Sequence, residues 1–292
     1  MSETVIVYLN GDFLPLDEAK VSVLDRGFIF GDGVYEVIPV YGNQPFRLEH
    51  HLQRLQDSLN AIQINNPLST NEWKDIITHI IKQNKDGGSD QSIYLQITRG
   101  VARRDHSFPD DTPPTVFVMS TPLNPPEQTL LNSGIDAVTL PDIRWLNCHI
   151  KAISLLPNVL FRQQAIDAGA TEAILLRDGM ATEGAASNLF IVKNDVIITP
   201  AKSSKLLPGI TRDLIVELAV SNGIQCEERD ISETELRNAD EIWISSSTKE
   251  VMPVVKLDDL EVANGKPGPI WSKMYQLYQA CKASLRSAAA AD

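Results

Sequence analysis

Cysteine is scarce: Cys148, Cys226 and Cys281 stand far apart, odd in number and in no CxxC pair. That excludes a disulfide framework and a zinc site built on paired thiolates, and it points to a reducing compartment, the cytoplasm being the expected one. No stretch approaches the roughly 18 consecutive apolar residues of a membrane-spanning helix. The opening Met1-Ser-Glu-Thr-Val-Ile-Val-Tyr-Leu-Asn10 has an early acid and only a short apolar run, so it lacks the basic start and apolar centre of a secretion signal. Positive charge is also short, with 26 Lys and Arg against 38 Asp and Glu and a net charge of −12. Nucleic-acid binding, which needs clustered Lys and Arg on phosphates, is therefore not expected. HExxH and GxxxxGK[ST] are missing, and Gly31-Asp-Gly33 lacks the rest of a dinucleotide fingerprint. No catalytic metal is expected.

What is present spells an α/β chain. Its 292 residues can bury a sizeable core, and length as a soft prior suggests two domains. Apolar stretches flank Asn10-Gly11, the dipeptide of a type I′ hairpin, so Val5 to Leu16 reads as a strand pair. Gly33 to Tyr41 reads as a strand turning at Gly42-Asn43. Leu48, Leu52, Leu55 and Leu59 recur at helical spacing, and Ser69-x-x-Glu72 is a capping box opening a second helix through Ile81. Ser92 to Thr98 and Thr115 to Ser120 read as strands joined by the polar loop Arg99 to Pro109. The proline-rich stretch 121–128 is the expected linker between a smaller α+β domain, 1–120, and a larger α/β domain, 129–292. There the strand-like runs Glu172 to Arg177, Asn188 to Val192 and Glu241 to Ile244 alternate with helical ones at Asn158 to Ala168 and Thr211 to Ala219.

Lys151 is a lone amine in the otherwise uncharged stretch Trp145 to Leu156. Desolvation disfavours an ammonium, and the resulting free amine is a nucleophile and base suited to Schiff-base chemistry with a carbonyl cofactor. The alternative is a lysine whose head snorkels to water. Glu183, in Thr-Glu-Gly-Ala-Ala-Ser-Asn, is a carboxylate a strand could point inward, where it would favour the protonated nitrogen of an electron-sink ring; the alternative is a solvated acid beside a hairpin. Leu206-Leu-Pro-Gly-Ile-Thr-Arg-Asp213 runs into an apolar helix, leaving the amides around Ile210 and Thr211 placed to take a phosphate. The hydroxyl run Ser245 to Thr248 and Arg54 offer further donors to such an anion, each also readable as a turn or a solvated side chain. His50 and His51 adjoin on a helix, face different ways and read as structural.

In this order, Asp25-Arg-Gly-Phe-x-Phe-Gly-Asp-Gly-Val-Tyr-Glu36, the Lys151 segment, Glu183-Gly with Ser187-Asn188, and Pro208-Gly-Ile-Thr-Arg212 resemble the fold-type IV pyridoxal-phosphate aminotransferases along nearly the whole chain. Ile93 to Gly100, Arg104-x-His106-x-Phe-Pro109 and Asp142-Ile-Arg-Trp-Leu-x-Cys148 resemble the branch acting on D-amino acids. The resemblance implies a two-domain fold with pyridoxal 5′-phosphate between the domains, and transamination between a D-amino acid, D-alanine first, and 2-oxoglutarate. It implies that Lys151 carries the cofactor and shuttles the proton, and that Glu183 keeps the ring nitrogen protonated. Arg54, Ile210, Thr211, Ser246 and Ser247 fall where the family grips the phosphate, and Leu207 where a residue packs on the ring. Tyr35, Arg104 and His106 match the trap for the substrate carboxylate, with the Arg/His loop coming from a second subunit, so a homodimer is implied. Two departures stand out. Ala185-Ala186 stands where the resemblance implies serines, and Asp105 puts a carboxylate beside Arg104.

Overall fold

The computed structural model describes residues 4–85 and 90–289. These divide into two compact units, Met1–Asn124 with Ile150–Ser154 and Ser284–Asp292, and Pro125–His149 with Leu155–Ala283.

The first unit contains β1 (Ile6–Leu9), β2 (Asp12–Pro15), α1 (Arg26–Phe30), β3 (Gly33–Tyr41), β4 (Gln44–Pro45), α2 (Leu48–Ala61), α3 (Thr70–Gln83), β5 (Gln91–Thr98) and β6 (Thr115–Pro122). Its strands form one antiparallel sheet in the order β2-β1-β6-β5-β3-β4. The β1–β2 turn has positive φ at both Asn10 (52°) and Gly11 (111°), the backbone a type I′ hairpin demands. Ser69 caps α3, with Glu72 returning to the Ser69 amide. Alternation on β3 buries Val34, Ile38 and Val40 against Leu52, Leu55 and Leu59 of α2 and Ile77 and Ile80 of α3. Glu36 stands in that same row, a carboxylate among aliphatics, and this placement governs the site described below.

The two units are drawn differently from the expected domains 1–120 and 129–292 with a linker at 121–128. The break falls at Asn124–Pro125, but residues 150–154 and those from Ser284 on belong to the first unit, so 129–292 is not one uninterrupted domain. The cause is backbone pairing: Tyr35 N–H donates to the Lys151 carbonyl (3.0 Å) and Ile153 N–H to that of Gly33 (3.1 Å). The linker is also shorter at its start than 121–128, because β6 pairs with β5 through Pro122.

The second unit contains α4 (Gln128–Ser133), β7 (Ile135–Pro141), α5 (Leu156–Asp167), β8 (Glu172–Arg177), β9 (Met180–Gly184), β10 (Asn188–Lys193), β11 (Val196–Thr199), α6 (Ile210–Ser221), β12 (Cys226–Glu228), β13 (Ile231–Ser232), α7 (Glu233–Arg237), β14 (Glu241–Ser246), β15 (Glu250–Leu257), β16 (Leu260–Glu261) and α8 (Pro269–Ala289), whose residues from Ser284 on belong to the first unit. Its mixed sheet runs β12-β11-β10-β14-β15-β7-β8-β9-β13, with β16 on β15. The pairs β7–β8, β15–β7 and β11–β12 are parallel. Leu189 to Val192 and Ile242 to Ile244 are buried at every position, as central strands covered on both faces require, and Phe190 stacks on Trp243 at 5.4 Å.

Candidate active site

In the first unit, β3 and the segment 150–154 present Lys151 beside Tyr35. Lys151 is half-buried rather than enclosed, and its Nζ lies 4.0 Å from the Tyr35 ring centroid. Its backbone N–H donates to Ser58 Oγ (3.2 Å) on α2. Arg54 lies one helical turn earlier on α2, so the amine segment is fastened to the helix that carries the guanidinium. Tyr35 packs against Tyr94 (5.8 Å between centroids), whose hydroxyl burial pushes up to about 12.

Arg54 is buried and forked onto Glu36, Nε to Oε1 and Nη2 to Oε2, both at 2.8 Å, while His51 Nδ1 lies 2.7 Å from Glu36 Oε2. Burial alone would raise the Glu36 carboxyl, but the Arg54 charge and the hydrogen bonds outweigh it and hold the group far below the usual carboxylate range. Burial pushes His51 below its ordinary value, so the ring is neutral, and with only acceptors on Glu36 its Nδ1 carries the hydrogen. His50 is exposed, and the two histidines face different ways, as the helical spacing predicts.

Arg104 and His106 are exposed on the loop between β5 and β6. Both group around Phe30 at the end of α1: the Arg104 guanidinium and the His106 ring each lie 5.5 Å from its centroid. Asp105 turns its carboxylate to the Ser107 amide and hydroxyl (both 3.0 Å).

In the second unit, Glu183 on β9 is 5% exposed. Its Oε1 accepts from Arg144 Nη1, and its Oε2 from the Leu207 amide (3.0 Å) and Asn188 Nδ2 (3.2 Å). Burial pushes the carboxyl up to about 7, against the pull of Arg144 and the Leu207 amide. Arg144 is itself locked by a bidentate pair to Asp142 (Nε to Oδ1 and Nη2 to Oδ2, both 2.9 Å), and Arg177 lies 3.0 Å from the same carboxylate. A chain of alternating charges, Arg177, Asp142, Arg144 and Glu183, thus fixes the Glu183 carboxylate from behind.

Asn188 also donates to the Leu207 carbonyl (2.8 Å), which joins Glu183 to the turn entering α6. That turn needs Gly209, because a Cβ there would sit 1.9 Å from Asn188 Oδ1. Gly209 is the N-cap of α6 and no side chain caps the helix, leaving Ile210 and Thr211 at a dipole end suited to an anion. Ser245 pairs with Asn188 across β10 and β14; it is 1% exposed, and its Oγ has no hydrogen-bond partner among the described residues. Ser246 accepts the Lys249 amide (3.0 Å), and Ser247 follows in the same turn. Ala185 is buried, its backbone engaged by Ala173 and Asn158, while Ala186 is exposed.

The structure thus gathers Lys151 with Tyr35, Arg54 with Glu36 and His51, Arg104 with His106, and Glu183 with Leu207, Asn188 and the head of α6. Glu36, Arg144 and Asn188 carry no assigned role in the sequence reading. Asp142-x-Arg144 is the available signal, since that spacing lets a guanidinium fork back onto a carboxylate. In the second unit a buried carboxyl poised near neutrality, a helix start without a side-chain cap and an orphaned buried hydroxyl fit a phosphorylated pyridine, and in the first unit a half-buried amine fits an aldehyde.

A model of the amino-transferase class IV family matches residues 33–257. The chain is 42% identical over 266 residues to a D-alanine aminotransferase of Bacillus licheniformis, covering 90% of this chain and 92% of that one. It is 40% identical over 273 residues to a D-alanine aminotransferase of Staphylococcus haemolyticus, covering 92% and 95%. Among solved structures it resembles the branched-chain amino acid aminotransferase of Thermoproteus uzoniensis with norvaline (TM-score 0.86, 26% identity, 96% of this chain and 95% of that one). It also resembles that of Escherichia coli (TM-score 0.86, 29% identity, 94% and 92%). A further branched-chain amino acid aminotransferase it resembles was solved with pyridoxamine 5′-phosphate (TM-score 0.88, 26% identity, 96% and 94%). The chain belongs to the class IV amino-transferase family. It is an aminotransferase of the type that depends on pyridoxal phosphate.

Proposed function

We propose that this enzyme transfers the amino group of a D-amino acid, with D-alanine the first substrate to try, to 2-oxoglutarate, giving a 2-oxo acid and D-glutamate. The observation that carries this is the likeness to two D-alanine aminotransferases over nine-tenths of the chain. Pyridoxal 5′-phosphate supplies an electron sink for the pair left at the substrate Cα. Lys151 supplies the amine and moves the proton at Cα. Glu183, backed by Arg144, holds the positive charge at the ring nitrogen. Arg54, the amides of Ile210 and Thr211, and the Ser246 and Ser247 hydroxyls hold the phosphate, and Leu207 packs on the ring. Tyr35, Arg104 and His106 take the substrate carboxylate. The enzyme works in the cytoplasm as a homodimer in which the Arg104/His106 loop of one copy serves the other.

The solved structures favour a second reading, an L-branched-chain aminotransferase. One experiment separates the two. Cofactor-loaded protein is mixed with D-alanine or L-leucine, without any 2-oxo acid, and the visible absorbance of the cofactor is followed. Bleaching by D-alanine alone is expected; bleaching by L-leucine alone overturns the proposal.

A further inference from the structure

The loop between β5 and β6, residues 99–114, carries Arg104 and His106, and both side chains are exposed. A surface loop of that length does not hold two side chains to one geometry unless something fixes it. Backbone bonds tie its start, Arg26 N–H to the Gly100 carbonyl and Ala102 N–H to that of Leu24, while the arginine side chains that hold its further part converge on one carboxylate. Asp32 Oδ2 accepts from Arg26 Nε (2.8 Å) and from Arg99 Nε (2.7 Å), and Asp32 Oδ1 from Arg99 Nη2 (3.0 Å). Both arginines are buried, at 4% and 7% exposure.

Each arginine then grips a different side of the loop. Arg26 Nη1 donates to the Asp105 carbonyl at 2.6 Å, in the peptide that joins Asp105 to His106. Its guanidinium lies 4.8 Å from the centroid of Phe30, the ring on which Arg104 and His106 also rest. Arg99 lies 3.7 Å from the Phe108 centroid and anchors its other end on the carbonyls of Ile62 (2.7 Å) and Gln63 (3.1 Å), just past α2. Without Asp32, two buried guanidinium groups would face each other with no shared counter-charge and no common orientation.

We propose that Asp32 is a positioning residue for substrate-carboxylate capture: by orienting Arg26 and Arg99 it sets the loop that presents Arg104 and His106. The proposal rests on the reading that those two residues take the carboxylate. It implies a split that ordinary loss of stability does not produce. Both an amino acid and a 2-oxo acid carry the carboxylate, so both should bind more weakly, while chemistry at saturation and cofactor affinity persist.

The test uses Asp32→Asn and Arg26→Lys in the cofactor-loaded enzyme. KM for D-alanine and for 2-oxoglutarate should each rise about tenfold or more, with kcat and cofactor affinity within about twofold of wild type. The slow reaction of ethylamine, which lacks the carboxylate, should be unchanged. Unaltered KM values, or an equal loss with ethylamine, overturn the proposal. Arg26→Lys keeps the ion pair but shortens the reach to Asp105, and it gives the answer where Asp32→Asn fails to fold. If the wild-type enzyme ignores D-alanine, the substrate reading falls. Asp32 is then judged by amide exchange over residues 101–108: exchange at least about tenfold faster in the variants supports the positioning role, and unchanged protection refutes it.

Discussion

The Lys151 Nζ lies 4.0 Å from the centroid of the Tyr35 ring, while the Tyr35 amide donates to the Lys151 carbonyl. One residue therefore holds the other by both backbone and ring. A cation on an aromatic face gains about 0.5–2 kcal/mol. Tyr35→Phe keeps the face and should retain kcat within about threefold, whereas Tyr35→Leu should lose about tenfold or more. Equal kcat values for the two variants would show that the ring does not place the amine.

Lys151→Ala should abolish transamination, by at least about a thousandfold, while leaving the melting temperature within a few degrees of wild type. The side-chain contact to the Tyr35 ring is lost, but the backbone hydrogen bonds that seat this segment, to Tyr35 and to Ser58, survive the substitution. Turnover near the wild-type rate would refute the assignment.

Arg54→Met should destabilise the protein by about 3–5 kcal/mol, because Glu36 is left buried without its cation. Adding Glu36→Gln should recover a large part of that loss in a urea titration. The Glu36 carboxyl is depressed in the folded state, so its contribution is complete above the ordinary value of 4.5 and is lost progressively as the pH falls from there to a far lower folded value. Destabilisation of the wild type through this group should therefore set in as the pH drops below about 4.5 and keep growing into strong acid, and Glu36→Gln should remove that part of the pH dependence.

Glu183 has the opposite sign. Its carboxyl is raised from 4.5 to about 7, so between those values the folded, cofactor-free protein keeps a proton that the unfolded chain has released. This group's contribution is full below the lower value and shrinks as the pH rises through the window. Urea midpoints of the cofactor-free protein at about pH 5 and about pH 8 should differ more in wild type than in Glu183→Gln. Identical differences would mean that Glu183 is ionised throughout.

Gly209→Ala should weaken cofactor binding about tenfold or more, at a stability cost of about 1–3 kcal/mol. The added Cβ would meet Asn188 Oδ1 at 1.9 Å and push that side chain off Glu183 and Leu207. Unchanged affinity would show that the Asn188 bridge is dispensable.

Much of this is legible in the sequence wherever the signal is local. Asn10-Gly11 fixes a turn by its φ demands, Ser69-x-x-Glu72 caps α3, and β3 runs from Gly33 to Tyr41 as the alternation predicts. What escapes depends on partners distant in the chain. β7 has little signature of its own and is defined by parallel pairing to β8 and β15. Arg144 meets Glu183 across a separation of 39 residues, and Glu36 has no role of its own in the sequence because only α2 brings Arg54 and His51 onto it. The lysine segment reads as part of the second domain because nothing in its own residues announces that it will pair with β3.

That pairing sets a timetable for synthesis. The first unit includes residues 150–154, and Arg286, from the last helix, forms an ion pair with Asp90 and lies 5.6 Å from the Tyr41 ring. A nascent chain cannot close this unit when residue 124 leaves the ribosome. The Gly33–Tyr35 backbone stays unpaired on one side until residues 150–154 emerge, and the Arg286 contacts wait for almost the entire chain, which is the long-range contact pattern that slows folding and exposes strands to aggregation.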